Sequence, residues 1–340
     1  MGQRFVARLG ANESGFGPSP AAIAAMRATA PDVWMYGDPE LHDLNTAIAA
    51  HHQINPAHVV VGEGIDGLLG LTVRLMVDPG DVAVTSAGAY PTFNFHVAGF
   101  GGHLVRVPYH DDHEDPAALL DAARTHAAKL IYLANPDNPM GSWHPAATVE
   151  AIIRDLPEGT LLILDEAYAD LAPPGTIPVL DPDNPNVIRM RTFSKAHGLA
   201  GLRVGYALTN PALAKAFDKV RNHFGLGRLA QAAATAALGD QAHLALVQAA
   251  VIVARARVGA IAADHGLAAL PSATNFVAVD CGRDGDFARR VLAKLMQRGI
   301  FVRMPGTAPL DRCIRVSLGP DAALDAFDAA LGPALQAAAL

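Results

Sequence analysis

The stretch Arg191-Thr192-Phe193-Ser194-Lys195, continuing to Arg203-Val204-Gly205-Tyr206, organises the rest of the chain. A lysine directly after a hydroxyl, behind the apolar pair Val187-Ile188 and ahead of Gly198 and Gly201, stands where a strand gives way to a tight turn. A lysine anchored in this way is partly desolvated. Its amine loses a proton more readily than one in water, which is the condition for Schiff-base chemistry. Ser194 and Arg203 set a hydroxyl and a fixed cation on either side, a pairing suited to a phosphate.

Upstream of this stretch the pattern alternates. Strands are expected at 58–61, 82–85, 104–107, 129–134, 161–164 and 187–190, separated by helical spacing of Ala and Leu at 68–77, 116–128 and 146–155. Short apolar runs that do not alternate belong to strands buried on both faces, so the expectation is an α/β fold with a mostly parallel central sheet and helices on each side. Further helices are expected at 20–29, 39–51 and 211–221. The alanine-rich 228–265 reads as one or two long helices broken near Gly239-Asp240. Strands at 276–279, 300–303 and 314–318 around a helix at 284–298 then predict a smaller α+β domain. The expected boundaries are a large domain over 36–235 and a small one over 236–340, joined by an N-terminal arm over 1–35.

Composition narrows the function. A chain of 340 residues with a net charge of −7 and no basic block does not read as a nucleic-acid or membrane-surface binder. The start, Met1 to Leu9, lacks an apolar core of signal-peptide length, and the apolar 229–263 is interrupted by Gln231, Gly239, Asp240, Gln248, Arg255 and Arg257. Cys281 and Cys313 show no CxxC spacing and read as reduced packing residues. A cytoplasmic enzyme is expected. The 14 histidines form no ligand box, so no metal site is expected.

Four further stretches carry chemistry. Asp165 ends the apolar run Leu161-Leu162-Ile163-Leu164 and is followed by Glu166-Ala167-Tyr168; a buried acid there needs a cation or a donor. Asn135-Pro136-Asp137-Asn138-Pro139-Met140-Gly141 fixes an irregular loop that aims an amide above the sheet. Gly62-Glu63-Gly64-Ile65-Asp66-Gly67 leads from a strand into a helix, whose first N–H groups form an anion site. Arg315, in Ile314-Arg315-Val316-Ser317, points from a strand and matches a carboxylate bidentately.

Together with the lysine segment these strings, in this order, resemble the class I/II aminotransferases that use pyridoxal 5′-phosphate (PLP), the fold type I group, and most closely the histidinol-phosphate aminotransferase group. The resemblance runs over residues 9–320. It implies that Lys195 holds the cofactor aldehyde, that Asp165 keeps the pyridine nitrogen charged, and that Tyr168 and Asn138 reach the 3′-oxygen. The phosphate would rest on Gly64, Ile65 and Asp66 with Ser194, Arg203 and Thr192. Phe93, in Tyr90-Pro91-Thr92-Phe93, would stack on the ring. Tyr36 matches a tyrosine that crosses a dimer interface to the partner's cofactor phosphate, which implies a homodimer with shared sites. Arg315, with Asn138, would clamp the substrate α-carboxylate, and Arg303 would be a second cation for a phosphate or side-chain carboxylate. Four departures stand out: Met140 replaces a threonine, Ile65 replaces a serine or alanine, Gly67 replaces a glutamate, and Ser14-Gly15-Phe16 replaces Asn-Pro-Tyr in the arm. His197 has no assigned role.

The implied activity is transfer of an amino group between an L-amino acid or histidinol phosphate and a 2-oxo acid such as 2-oxoglutarate, in amino acid biosynthesis. An aromatic amino acid aminotransferase and a threonine-phosphate decarboxylase-like enzyme are the alternatives. A non-catalytic PLP-binding module is a third, against which the lack of a helix-turn-helix extension counts.

Overall fold

The computed structural model describes residues 5–340. An arm enters through β1 (Ala7–Arg8), followed by α1 (Pro20–Thr29) and α2 (His42–His52). Strands and helices then alternate through β2 (Val59–Gly62), α3 (Gly64–Met76), β3 (Val82–Ser86), α4 (Thr92–Gly99), β4 (His103–Val107), α5 (Pro116–His126) and β5 (Leu130–Ala134). Next come α6 (Ala146–Arg154), β6 (Leu161–Asp165), β7 (Val187–Thr192), β8 (Gly205–Leu208), α7 (Pro211–Phe217), α8 (Arg228–Gly239) and α9 (Gln241–Asp264). The chain closes with β9 (Ala268–Ala269), β10 (Phe276–Asp280), α10 (Gly285–Gln297), β11 (Ile300–Phe301), β12 (Cys313–Ser317) and α11 (Asp321–Ala339). Several helices start by one recipe. Ser19, Asp115 and Asn210 each accept a hydrogen bond from the N–H three residues on, and each is followed by a proline whose missing N–H has no partner to lose.

The large sheet has the order β2-β8-β7-β6-β5-β3-β4. β8 runs antiparallel to both its neighbours, and the remaining pairs are parallel. Because side chains alternate across a strand, β5 and β6 feed two cores at once. Leu130, Tyr132, Leu161 and Ile163 pack on one face with Leu68, Phe93 and Met190. Ile131, Leu133, Leu162 and Leu164 pack on the other with Leu119, Val149 and Ile152. The register pairs Ala134 with Asp165 and Asp165 with Met190, which brings the ends of β5, β6 and β7 to one edge of the sheet. An open α/β sheet binds its ligands at that edge.

The smaller body contains the sheet β12-β10-β9 and the helices α9, α10 and α11. The expected strand 300–303 is shorter: Ile300 and Phe301 pair in parallel with Ala7 and Arg8, and Arg303 only bridges Arg315. Strand β8 and helices α4 and α11 were not expected. α4 opens with Phe93, Asn94, Phe95 and His96, which carry no clean apolar face, so periodicity does not announce it.

Packing assigns the flanking helices to one core or the other. Ala22 of α1 and Ala230, Ala233, Ala234 and Ala237 of α8 share one apolar cluster with Val59, Val61 and Tyr206 of the large sheet. Residues 20–29 and α8 therefore pack with the large sheet. The chain crosses at Asp240, whose side chain caps α9 through the His243 N–H. Ala7 and Leu9 of the arm pack in the smaller core; the first four residues of the expected 1–35 segment lie outside the described residues. Among the described residues one helix, α9, is long and apolar enough by length and composition to cross a bilayer. Its Leu244, Val247, Val251, Val258 and Ile261 are buried in the smaller core.

Beneath the edge of the sheet lies a buried ion cluster. Glu166 accepts from Arg189 Nη2 at 2.6 Å and Nε at 3.2 Å, and from Arg191 Nε at 3.0 Å. Its carboxyl is fully enclosed, and the two guanidiniums hold it below the usual carboxylate range against the cost of burial. It fixes the backbone directly after Asp165. Removing one partner from such a cluster leaves buried charge uncompensated, so Glu166→Ala lowers stability by about 3–5 kcal/mol. A denaturant titration measures the loss.

Candidate active site

Glycines shape one end of the site. Gly64, at φ +75°, turns β2 into α3, and a Cβ placed there would lie 2.6 Å from Arg203 Nη2. The first N–H groups of α3 and the Arg203 guanidinium thus converge where a side chain would block them. Arg203 Nη1 also donates to Ser194 Oγ at 3.4 Å, and Thr192 Oγ1 lies 3.0 Å from the same hydroxyl. Ile65, Asp66, Thr192, Ser194 and Arg203 all line a single cavity of about 310 Å³ over the sheet edge.

Lys195, Asp165, Tyr168 and Asn138 line that same cavity. Lys195 follows β7 in a turn closed by Gly198 at φ +69°, where a Cβ would meet the Gly17 carbonyl oxygen at 2.4 Å. Its Nζ donates to the Asn12 carbonyl at 3.0 Å. Burial, with Arg315 adding, lowers the amine to about 8, while Asp165 and Asp66 pull the other way. Asp165 ends β6 and accepts from Tyr132 Oη at 2.7 Å and from the Ala167 N–H at 2.9 Å. Burial raises its carboxyl to about 6 despite those two bonds. The Tyr168 hydroxyl accepts from Asn12 Nδ2 at 3.1 Å, and its ring stands edge-on to Phe276. Asn138 Oδ1 accepts a short hydrogen bond from Arg315 Nη1. Arg315 Nε is buried with no hydrogen-bond partner among the described residues.

One expected residue falls elsewhere. Phe93 is fully buried and stacks on Tyr132, with ring centroids 5.1 Å apart, so it packs in the core and not on a ligand. The aromatic that lines the cavity is Tyr90, three residues earlier, whose hydroxyl donates to Asp66 Oδ1 at 2.8 Å. Tyr36 does not line this chain's cavity. It is 80% exposed and lies against Phe224 at 4.9 Å. Arg303 lines a second cavity, of about 360 Å³, together with Arg106 and Arg315, and Tyr90 and Asn138 face both spaces. His197 turns away toward Asp170, at 3.8 Å, and packs against Phe193. Asn12, Tyr90 and Tyr132 were not singled out from the sequence. Asn12 gives a faint signal only in the fold, through its left-handed φ of 54° and its burial.

A family model for class I and II aminotransferases matches residues 6–331. The chain belongs to that family. It is accordingly a PLP-dependent transaminase of fold type I. A histidinol-phosphate aminotransferase from an Anaeromyxobacter species is 37% identical over 98% of this chain and 92% of its own length. The crystal structure of histidinol-phosphate aminotransferase from Sinorhizobium meliloti, in complex with pyridoxal-5′-phosphate, superposes with a TM-score of 0.96 at 57% identity, covering 98% of this chain and 92% of that one. An aspartate aminotransferase mutant from Thermus thermophilus has a TM-score of 0.82 at 23% identity, covering 97% and 98%, and shares the fold.

The residues present fit the cofactor this aminotransferase family uses. An anion cradle that a single Cβ would fill, an amine lowered to about 8 and a buried acid with no cation in contact among the described residues are the three partners that a phosphate, an aldehyde and a pyridine nitrogen require. A folded-state carboxyl raised from 3.8 to about 6 costs stability as pH rises through that interval. At pH 8, Asp165→Asn therefore stabilises the cofactor-free chain by on the order of 2 kcal/mol while abolishing most turnover. Denaturant midpoints of the two cofactor-free proteins measure the difference. Because the neutral amine is the nucleophile, cofactor uptake by the freed chain rises with pH and is half-maximal near 8, as followed by absorbance.

Proposed function

We propose that this aminotransferase moves the amino group of histidinol phosphate to a 2-oxo acid such as 2-oxoglutarate, as a homodimer in the cytoplasm. One observation carries the chemistry: Lys195 and Asp165 share a cavity with the Gly64–Arg203 cradle. PLP, when bound, supplies an electron sink for the bond broken at the donor's Cα. Lys195 would hold its aldehyde, Asp165 its ring nitrogen, and Tyr168 and Asn138 its 3′-oxygen. Ile65, Asp66, Ser194 and Arg203, with Thr192 behind them, would hold the phosphate, and Tyr90 takes the place given to Phe93 against the ring.

The chain's own groups then act in turn. Once displaced by the incoming amine, Lys195 Nζ takes the proton from the donor's Cα as general base. The Asn12 carbonyl keeps that amine from swinging away. The donor's anionic end belongs to Arg315 and Arg303. The cavity holding both, with Arg106, is lined by no carboxylate, which suits a phosphate better than an aromatic ring. The names of the relatives at 37% and 57% identity favour the same donor over an aromatic amino acid.

The dimer has its own support. Trp34 and Tyr36 are each 80% exposed, and the Tyr36 ring lies against the exposed Phe224, aromatic surface of the kind that marks an interface. From there Tyr36 would reach the partner subunit's cofactor phosphate. Two buried, unpaired cysteines, Cys281 and Cys313, fit a reducing compartment.

The test is a donor panel. The protein loaded with PLP is mixed with histidinol phosphate, phenylalanine, tyrosine, glutamate or aspartate, and loss of the lysine-bound absorbance band is recorded. Histidinol phosphate reacts fastest, and Lys195→Ala shows neither band nor reaction; equal or faster reaction with phenylalanine defeats the assignment. Mixing inactive Lys195→Ala with a Tyr36→Ala variant restores part of the activity if the sites are shared, since each hybrid dimer then holds one complete site.

A further inference from the structure

Tyr109 and Asp137 lie beside the site without lining the cavity that holds Lys195. Tyr109 Oη donates to Asp137 Oδ1 at 2.8 Å, and Asp137 Oδ2 accepts the Met140 N–H at 3.0 Å. The Asp137 main chain donates to the Ser142 carbonyl at 2.8 Å and accepts from the Gly141 N–H at 3.2 Å. One residue, 2% exposed, thus closes with its side chain and main chain a loop whose next residue is Asn138. A buried carboxylate that loses one of its donors pays the desolvation of that oxygen in full, so the loop has one favoured conformation.

The same pair reaches across to the smaller body. The Tyr109 ring and the Met140 side chain pack against Leu270, Ala278, Leu310 and Cys313. Cys313 opens β12, which carries Arg315 two residues later. Met140, the position where the loop departs from the threonine of its family, is therefore a seam residue whose main-chain N–H holds Asp137. Arg315 in turn is bonded to Asn138.

We propose that Tyr109 and Asp137 are positioning residues that hold Asn138 and Arg315 as one unit, so that the cofactor's 3′-oxygen and the donor's anionic group meet partners already aligned with each other. This rests on the placing of Asn138 and Arg315 given above. Neither Tyr109 nor Asp137 touches substrate; both act through the loop.

The experiment uses the PLP-loaded dimer of the parent, Tyr109→Phe and Asp137→Asn. A donor at an anionic oxygen favours the deprotonated form, so a loosened Asn138 raises the pH midpoint at which the lysine-bound cofactor changes colour, by about half a unit or more. KM for the donor rises about fivefold or more with a smaller change in kcat, the size expected for a hydrogen-bonding partner misplaced. Tyr109→Phe, which removes a single oxygen atom, keeps Tm within a few degrees, and its midpoint shift is the deciding reading. Unmoved midpoints and KM values in both variants, or shifts only in step with a lost Tm, overturn the inference while the parent keeps its band. A parent without the band overturns the cofactor reading and this inference together.

Discussion

A buried amine and a buried acid, within one cavity, are each biased toward the neutral form relative to water, and the rest of the molecule holds them there. Desolvation lowers Lys195 and raises Asp165, and each partly relieves the other. Such an arrangement is costly in an empty fold, and it persists because rigid neighbours over-determine it. Tyr132 and the Ala167 N–H grip Asp165, and the Glu166 cluster grips the backbone beyond it. The register of β5, β6 and β7 places all of this at one level.

The sheet was legible because its central strands are short, apolar and non-alternating, and the site residues at their ends were legible because turn chemistry in Asn135–Gly141 and Gly62–Gly67 is written in Asn, Pro and Gly. Lys195, Asp165, Tyr168, Asn138 and Arg203 are brought together at that edge. What sequence missed was set by tertiary contact. Phe93 and Tyr90 are both aromatic and three residues apart, and only the entry of α4 decides which faces the cavity. Asn12 carries no motif of its own, yet it bonds Tyr168, Lys195 and Asn275 at once. Alanines give no sign of which core they serve: those of α8 pack with the large sheet and Ala254 and Ala262 of α9 pack in the smaller core.

The departures from the family pattern sort by the same logic. Ile65 supplies a main-chain amide at the cradle, so the loss of a hydroxyl there leaves the helix terminus intact. Met140 fills an apolar seam between the two bodies. Phe16 packs against the smaller core rather than facing the ligand space.

The N-terminal arm has a mechanical consequence. Its strand is zipped to Ile300 and Phe301 of the smaller body, Leu9 bonds Phe301 and Ser317 through the main chain, and four residues after that strand Asn12 holds the Lys195 amine. The smaller body is thereby on a leash to the reactive nitrogen, only a few peptide units long. The carbonyl that receives the lysine proton is therefore positioned by the smaller body and not by the sheet that carries the lysine.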